Sequence, residues 1–140
     1  MSVSPKKALG QHFLVDENIL GVIGRMSDLR ESDVVVEVGP GLGVLTRYLA
    51  DRVREVHCVE LDRSLEPSLR EAIGERSNVR VTWGDALELD LSGLDPKPRK
   101  LVANLPYSVA TPLVVETLEH ARSLESWCVM VQREVADRFF

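Results

Sequence analysis

Two cysteines, Cys58 and Cys128, make up the whole thiol content of this 140-residue chain. Both lie inside apolar stretches, and so scarce a pair in that setting reads as reduced core residues, which excludes a disulfide-stapled scaffold. Long hydrophobic runs are missing as well. No segment approaches the roughly 20 apolar residues that cross a bilayer, and the opening Met1-Ser2-Val3-Ser4-Pro5-Lys6-Lys7 has no apolar core of an export signal. The expectation is a soluble, cytoplasmic protein with no membrane partner and no metal. Positive charge is in deficit: 17 Lys and Arg stand against 22 Asp and Glu, a formal net charge of −5. That balance argues against a nucleic-acid partner held by charge alone, so any such partner must be argued from a site. Two basic clusters, Lys6-Lys7 and Lys97, Arg99, Lys100, read as solvated surface. Repeats and low-complexity tracts are absent. At 44% hydrophobic and 28% charged residues, the chain supports one globular domain, residues 1–140. A domain of this size buries roughly two-thirds of its unfolded surface.

What is present is an alternation of strand and helix patterns. Ile19, Leu20, Ile23 and Met26 fall at helical spacing, so Glu17 to Met26 is expected to be an amphipathic helix capped by Asp16. The β-branched run Val34-Val35-Val36-Glu37-Val38 reads as a strand, closes into Gly39, and is followed by a helical pattern from Leu45 to Arg52. The alternation continues through strand Glu55 to Glu60, helix Ser64 to Glu75, and strands Val79 to Trp83 and Lys100 to Asn104. Helix Thr111 to Ala121 and strand Trp127 to Val131 complete it, with Asp95-Pro96-Lys97-Pro98 as a loop. Such alternation predicts an α/β fold with a mostly parallel sheet and helices on both faces. Glu134 to Phe140 looks like the opening turns of a helix without a cap, so the domain reads as cut short.

Three features point to chemistry. Glu37-Val38-Gly39-Pro40-Gly41-Leu42-Gly43 occupies a strand-to-helix turn, where glycines let backbone approach a ligand and amides face the cleft. The spacing departs from the G-x-G-x-x-G of dinucleotide sites, and by itself a glycine turn also serves merely to pack helix on strand. Glu60 ends the second strand about 20 residues on, where an acid accepts hydrogen bonds from ribose hydroxyls. Asp85 follows the third strand, as an acceptor for an adenine amino group or as a turn-capping residue. Asn104-Leu105-Pro106-Tyr107 is expected just after the fourth strand. An adenine amino nitrogen is a weak nucleophile, so catalysis there is chiefly positioning. The Asn104 amide oxygen and the Leu105 carbonyl would accept the amino hydrogens, and Tyr107 would stack on the base. No general base enters this scheme.

With those residues in place, the chain resembles the S-adenosylmethionine-dependent small-subunit ribosomal RNA adenine N6-dimethyltransferases over essentially its whole length. Six segments carry the resemblance in order. They are Leu9-Gly10-Gln11-His12-Phe13-Leu14, Glu37 to Thr46, Glu60-Leu61-Asp62, Gly84-Asp85-Ala86, Asn104-Leu105-Pro106-Tyr107, and Val131 to Phe139. The resemblance implies a Rossmann-like methyltransferase fold, truncated before its last strands and lacking a C-terminal helical domain. It implies S-adenosyl-L-methionine held by His12, Leu14, Gly39, Gly41, Glu60, Asp85 and Asn104, with Asn104, Leu105, Pro106 and Tyr107 as the catalytic strip. The reaction implied is dimethylation of two adjacent adenines during small-subunit assembly, by a protein that is a monomer when full length. Departures are His12 for the usual asparagine, and Ser108 and Ala110 for the usual Asn and Ser. Two other readings remain: a large-subunit rRNA methyltransferase of the antibiotic-resistance type, and a non-catalytic assembly or binding protein on the same fold.

Overall fold

The computed structural model describes residues 17–132. The Asp16 cap, the segment 9–14 with His12 and Leu14, the Lys6-Lys7 pair and the turns at 134–140 lie outside the described residues. The elements are α1 (Glu17–Ser27), β1 (Val34–Val38), α2 (Val44–Ala50), β2 (Glu55–Glu60), α3 (Glu66–Ile73), β3 (Val79–Trp83), β4 (Lys100–Pro106), α4 (Tyr107–His120) and β5 (Ser126–Gln132). Short 3-10 turns occupy Arg63–Leu65 and Leu91–Gly93. The five strands form one sheet in the order β3-β2-β1-β4-β5, parallel throughout.

β1 lies at the centre, and every one of its residues is buried. A strand covered on both faces needs apolar groups on both, which is why Val34 to Val38 is a continuous β-branched run. Val35 faces α1 and α2 with Ile23, Leu45, Leu49, Val56 and Cys58. Val36 and Val38 face α4 with Val59, Leu101, Leu105 and Leu113. Both cysteines are free and buried, as the sequence suggests.

The strand bounds of β1, β2 and β3 match expectation, but β4 and α4 do not. β4 continues two residues beyond Asn104, because β5 runs alongside it as far as the Pro106 and Gln132 pair. α4 then begins at Tyr107, a full turn before Thr111. Proline favours the first helical turn, yet Pro112 lies inside the helix in the fold. Asn104-Leu105-Pro106-Tyr107, expected just after the strand, is therefore the end of the strand and the start of a helix. α3 also starts later than expected, behind a 3-10 turn, and stops at Gly74, whose φ of 60° no helix continues.

Of the basic cluster, Lys100 is not solvated surface. Its ammonium donates to the carbonyls of Ser27 (3.0 Å) and Asp28 (2.6 Å) and pairs with Asp33 at 2.8 Å. Arg99 pairs with Glu125 at 3.1 Å, and Lys97 donates to the Ser92 carbonyl at 2.8 Å. All three sit at the end of the sheet away from the glycine turn.

Candidate active site

The chain leaves β1 toward β2 on one side, while β4 lies on the other, so their carboxyl ends diverge and open a crevice. Open α/β sheets bind ligands at such a switch point. Gly39 forms its floor, with φ of 73° and its N–H donated to the Val59 carbonyl at 2.9 Å. A Cβ there would lie 2.9 Å from Leu105 Cδ2. Gly43, with φ of 89°, starts α2, and a Cβ would come within 2.6 Å of the Ala72 methyl. The turn thus needs glycine both for backbone conformation and for close approach.

Glu60 is nearly buried, and its carboxylate braces the turn. Oε1 accepts the Gly41 N–H at 3.1 Å and Oε2 the Asp62 N–H at 2.9 Å. Burial raises its pKa, and the two amide donors oppose that rise. A carboxylate has about four acceptor positions, so capacity remains for a ligand hydroxyl. Its residue lines a cavity of about 210 Å³ with Gly39, Gly41, Leu61, Asp85 and Leu105. Asp85 serves as the turn cap that the sequence allowed, because Oδ1 accepts the Leu87 N–H at 2.9 Å. That bond leaves acceptor capacity at the cavity wall, so the two roles are compatible.

Asn104 is 5% exposed, and its Nδ2 is buried with no hydrogen-bond partner among the described residues. An unpaired buried amide costs about 1–3 kcal/mol, so the group is built to meet something. Leu105 next to it packs on Gly39, while Tyr107, the first residue of α4, is 64% exposed. The structure thus brings Gly39, Gly41, Glu60, Asp85 and Leu105 to one cavity, with Asn104 on an adjoining hollow.

Sequence reasoning assigned no role to Glu37, Thr46 or Cys58 as individuals. Glu37 is 1% exposed; Thr46 Oγ1 donates to its Oε1 at 2.5 Å and the Cys58 thiol lies 3.8 Å from the same atom. Burial pushes its carboxyl up to about 8. With Asn104, Gly39, Pro40, Leu42 and Leu45 it lines the hollow, about 40 Å³ in volume. The signal was available: one acid inside an otherwise β-branched, doubly covered strand has to be explained.

Parallel sheet, glycine turn and acceptors at successive strand ends define a Rossmann-like protein of the methyltransferase type. The chain belongs to the ribosomal RNA adenine dimethylase family, whose model matches residues 3–140. It is 52% identical over 134 residues to a Ribosomal RNA small subunit methyltransferase A of Rubrobacter xylanophilus, covering 96% of this chain and 50% of that protein. Among solved structures it is similar to the 23S rRNA methyltransferase ErmE, at a TM-score of 0.75 and 36% identity over 89% of this chain and 50% of that one. A dimethyladenosine transferase from Plasmodium falciparum superposes with a TM-score of 0.73 at 28% identity, over 91% of this chain and 46% of that one. The chain spans about half the length of the curated relatives it matches.

Proposed function

We propose that this chain is the cofactor-binding portion of an enzyme that dimethylates N6 of two adjacent adenines in small-subunit ribosomal RNA, with S-adenosyl-L-methionine as methyl donor. The observation that carries the reading is the convergence of the glycine turn with Glu60, Asp85 and Leu105 on one cavity at the carboxyl ends of the strands, with Asn104 on the adjoining hollow. The residues present fit the cofactor. Glu60 keeps acceptor capacity for ribose hydroxyls, Asp85 for an adenine amino group, and Gly39 and Gly41 allow close approach of its chain. His12 and Leu14 are assigned to the same cofactor by the family resemblance. The bound cofactor supplies an electrophilic methyl group on a sulfonium.

In this scheme Asn104 and the Leu105 carbonyl accept hydrogens of the target amino group and hold its nitrogen in line. Tyr107, exposed at the crevice mouth, offers a face on which the extruded base stacks, and Pro106 fixes the turn between them. The proton shed by the alkylated nitrogen passes to water. The site is assigned to an immature small ribosomal subunit in the cytoplasm, and the full-length protein to a monomer. The 52% identity to a small-subunit methyltransferase favours that substrate over the large subunit, to which the ErmE likeness points at 36% identity.

The test is calorimetric titration of the chain with S-adenosylmethionine, followed by methyl transfer to immature small subunits and to large-subunit RNA. Asn104→Ala should abolish transfer while cofactor affinity stays within about tenfold, or 1.4 kcal/mol. Failure of the parent chain to bind the cofactor would refute the reading. Transfer to large-subunit RNA alone would move the substrate to the other class.

A further inference from the structure

Resting on the ribosomal RNA reading, we propose that the outer face of α1 and α2, away from the crevice, is a second RNA contact: a groove in which Arg25 and Arg52 bind backbone phosphates of an RNA stem. The groove, about 590 Å³ in volume, is lined by Gly24 and Arg25 from α1, Tyr48 from α2, and Glu31, Asp51 and Arg52. Gly24 shapes it, because a Cβ there would collide with the Tyr48 hydroxyl. Arg52 is set in place before any ligand arrives. Its guanidinium carbon lies 3.6 Å from the centroid of the Tyr48 ring, and Nη1 donates to the Tyr48 carbonyl at 2.9 Å. That spends one donor of a planar five-donor fork, whose geometry matches a phosphate.

The charges on this face call for an anion. Asp51 is already taken by Arg76, through bonds of 2.9 and 3.3 Å. The Arg76 hydrogen bond holds the Asp51 carboxyl below the usual carboxylate range, and the nearby Arg52 and Arg47 add to that effect. Arg25, Arg47 and Arg52 are exposed and bond to no acid among the described residues. Only Glu31 opposes them in the groove. Unmatched cations gathered in this way make a local positive field, which a chain of net charge −5 needs if it is to meet RNA at all. Tyr48 is the one aromatic residue lining the groove, and Arg52 already stacks on it, so an unpaired base finds no platform there. The contact is therefore with the backbone. α2 joins the glycine turn to the groove, and Gly43 to Tyr48 is about 8 Å along its axis, so RNA delivered to the crevice lies within reach.

The experiment follows binding of a fluorescent RNA hairpin, with a stem of about 16 base pairs, to the parent chain by anisotropy between about 50 and 200 mM salt. The slope of log affinity against log salt counts the phosphates neutralised. Arg25→Gln and Arg52→Gln should each lower that slope by about one, and the double variant by about two, with affinity weaker by about tenfold or more near 0.1 M salt. Arg122→Gln is the control. It removes an equally exposed arginine just past α4, on the opposite face of the sheet, and should leave slope and affinity as in the parent. An unchanged slope in the double variant, an equal loss in Arg122→Gln, or a parent chain that binds no RNA overturns the proposal. S-adenosylmethionine titration of the same samples separates this from the methyltransferase reading, since the groove lies outside the cofactor cavity. A parent that binds cofactor keeps that reading when the groove fails, and one that binds neither cofactor nor RNA loses both.

Discussion

Gly43→Ala isolates what the glycine turn contributes to stability, apart from any ligand. Two costs add at this position. An L-residue at φ of 89° meets the left-handed penalty, about 1–2 kcal/mol. The new methyl would lie 2.6 Å from the Ala72 Cβ and 3.1 Å from Leu69 Cδ1. Overpacking of that kind costs about 1–3 kcal/mol, since the nearer neighbour, the Ala72 Cβ, is fixed to its backbone and cannot turn aside. Alanine also reduces the freedom of the unfolded chain, returning about 0.4–1 kcal/mol. The net expectation is a loss of about 2–4 kcal/mol, measured by urea unfolding followed by circular dichroism, with a midpoint temperature lower by about 10 °C. Gly21→Ala is the internal control. It lies within α1, and its added Cβ would meet only the mobile Arg25 guanidinium at 3.4 Å, so it should gain about 0.5–1 kcal/mol. A Gly43→Ala chain within about 0.5 kcal/mol of the parent would show that the α2–α3 contact yields freely, and the argument for an obligatory glycine would fail.

Lys100→Met strands the Asp33 carboxylate and two carbonyls; the pair is largely but not fully buried, so a loss of about 1–3 kcal/mol should appear in the same denaturation assay. Glu37 binds its proton more tightly folded than unfolded, so stability is fully present below pH about 4.5 and is lost as pH rises through about 8, by at most 1.4 kcal/mol per unit. Melting curves of Glu37→Gln across that window should lose this slope, and an unchanged slope assigns it elsewhere. Tyr107→Ala, at an exposed position, should leave stability within about 0.5 kcal/mol and reduce methyl transfer by the 1–3 kcal/mol that base stacking is worth, roughly 5- to 150-fold. Glu60→Ala should weaken S-adenosylmethionine by about 1–3 kcal/mol in titration, and an unaltered affinity removes it from the site.

The central strands were legible because they are buried on both faces, which forces a run of Val34 to Val38 that no helix period mimics. Gly39, Gly41, Glu60 and Asp85 were legible because each stands at the carboxyl end of a strand, and parallel strands bring those ends together. The start of α4 was not, since Pro112 signals a first turn locally, whereas pairing of β4 with β5 carries the strand to Pro106 and leaves the helix to begin at once. Lys100 looked like surface because its partners, Ser27, Asp28 and Asp33, are some 70 residues distant in sequence. Glu37 was passed over for a related reason: a buried acid is recognised by what surrounds it, and Thr46, Cys58 and Asn104 come from three other elements.

β4 touches β1 only as far as Ala103, and its last three residues pair with β5 alone. One edge of a strand is thus anchored in the sheet while the other borders the crevice, so the distance from the cofactor pocket to Asn104 and Tyr107 is set by backbone pitch. A ruler of that kind does not adapt. Enzymes built on it are expected to change their choice of RNA by altering what delivers the adenine, leaving the reach between methyl and nitrogen the same.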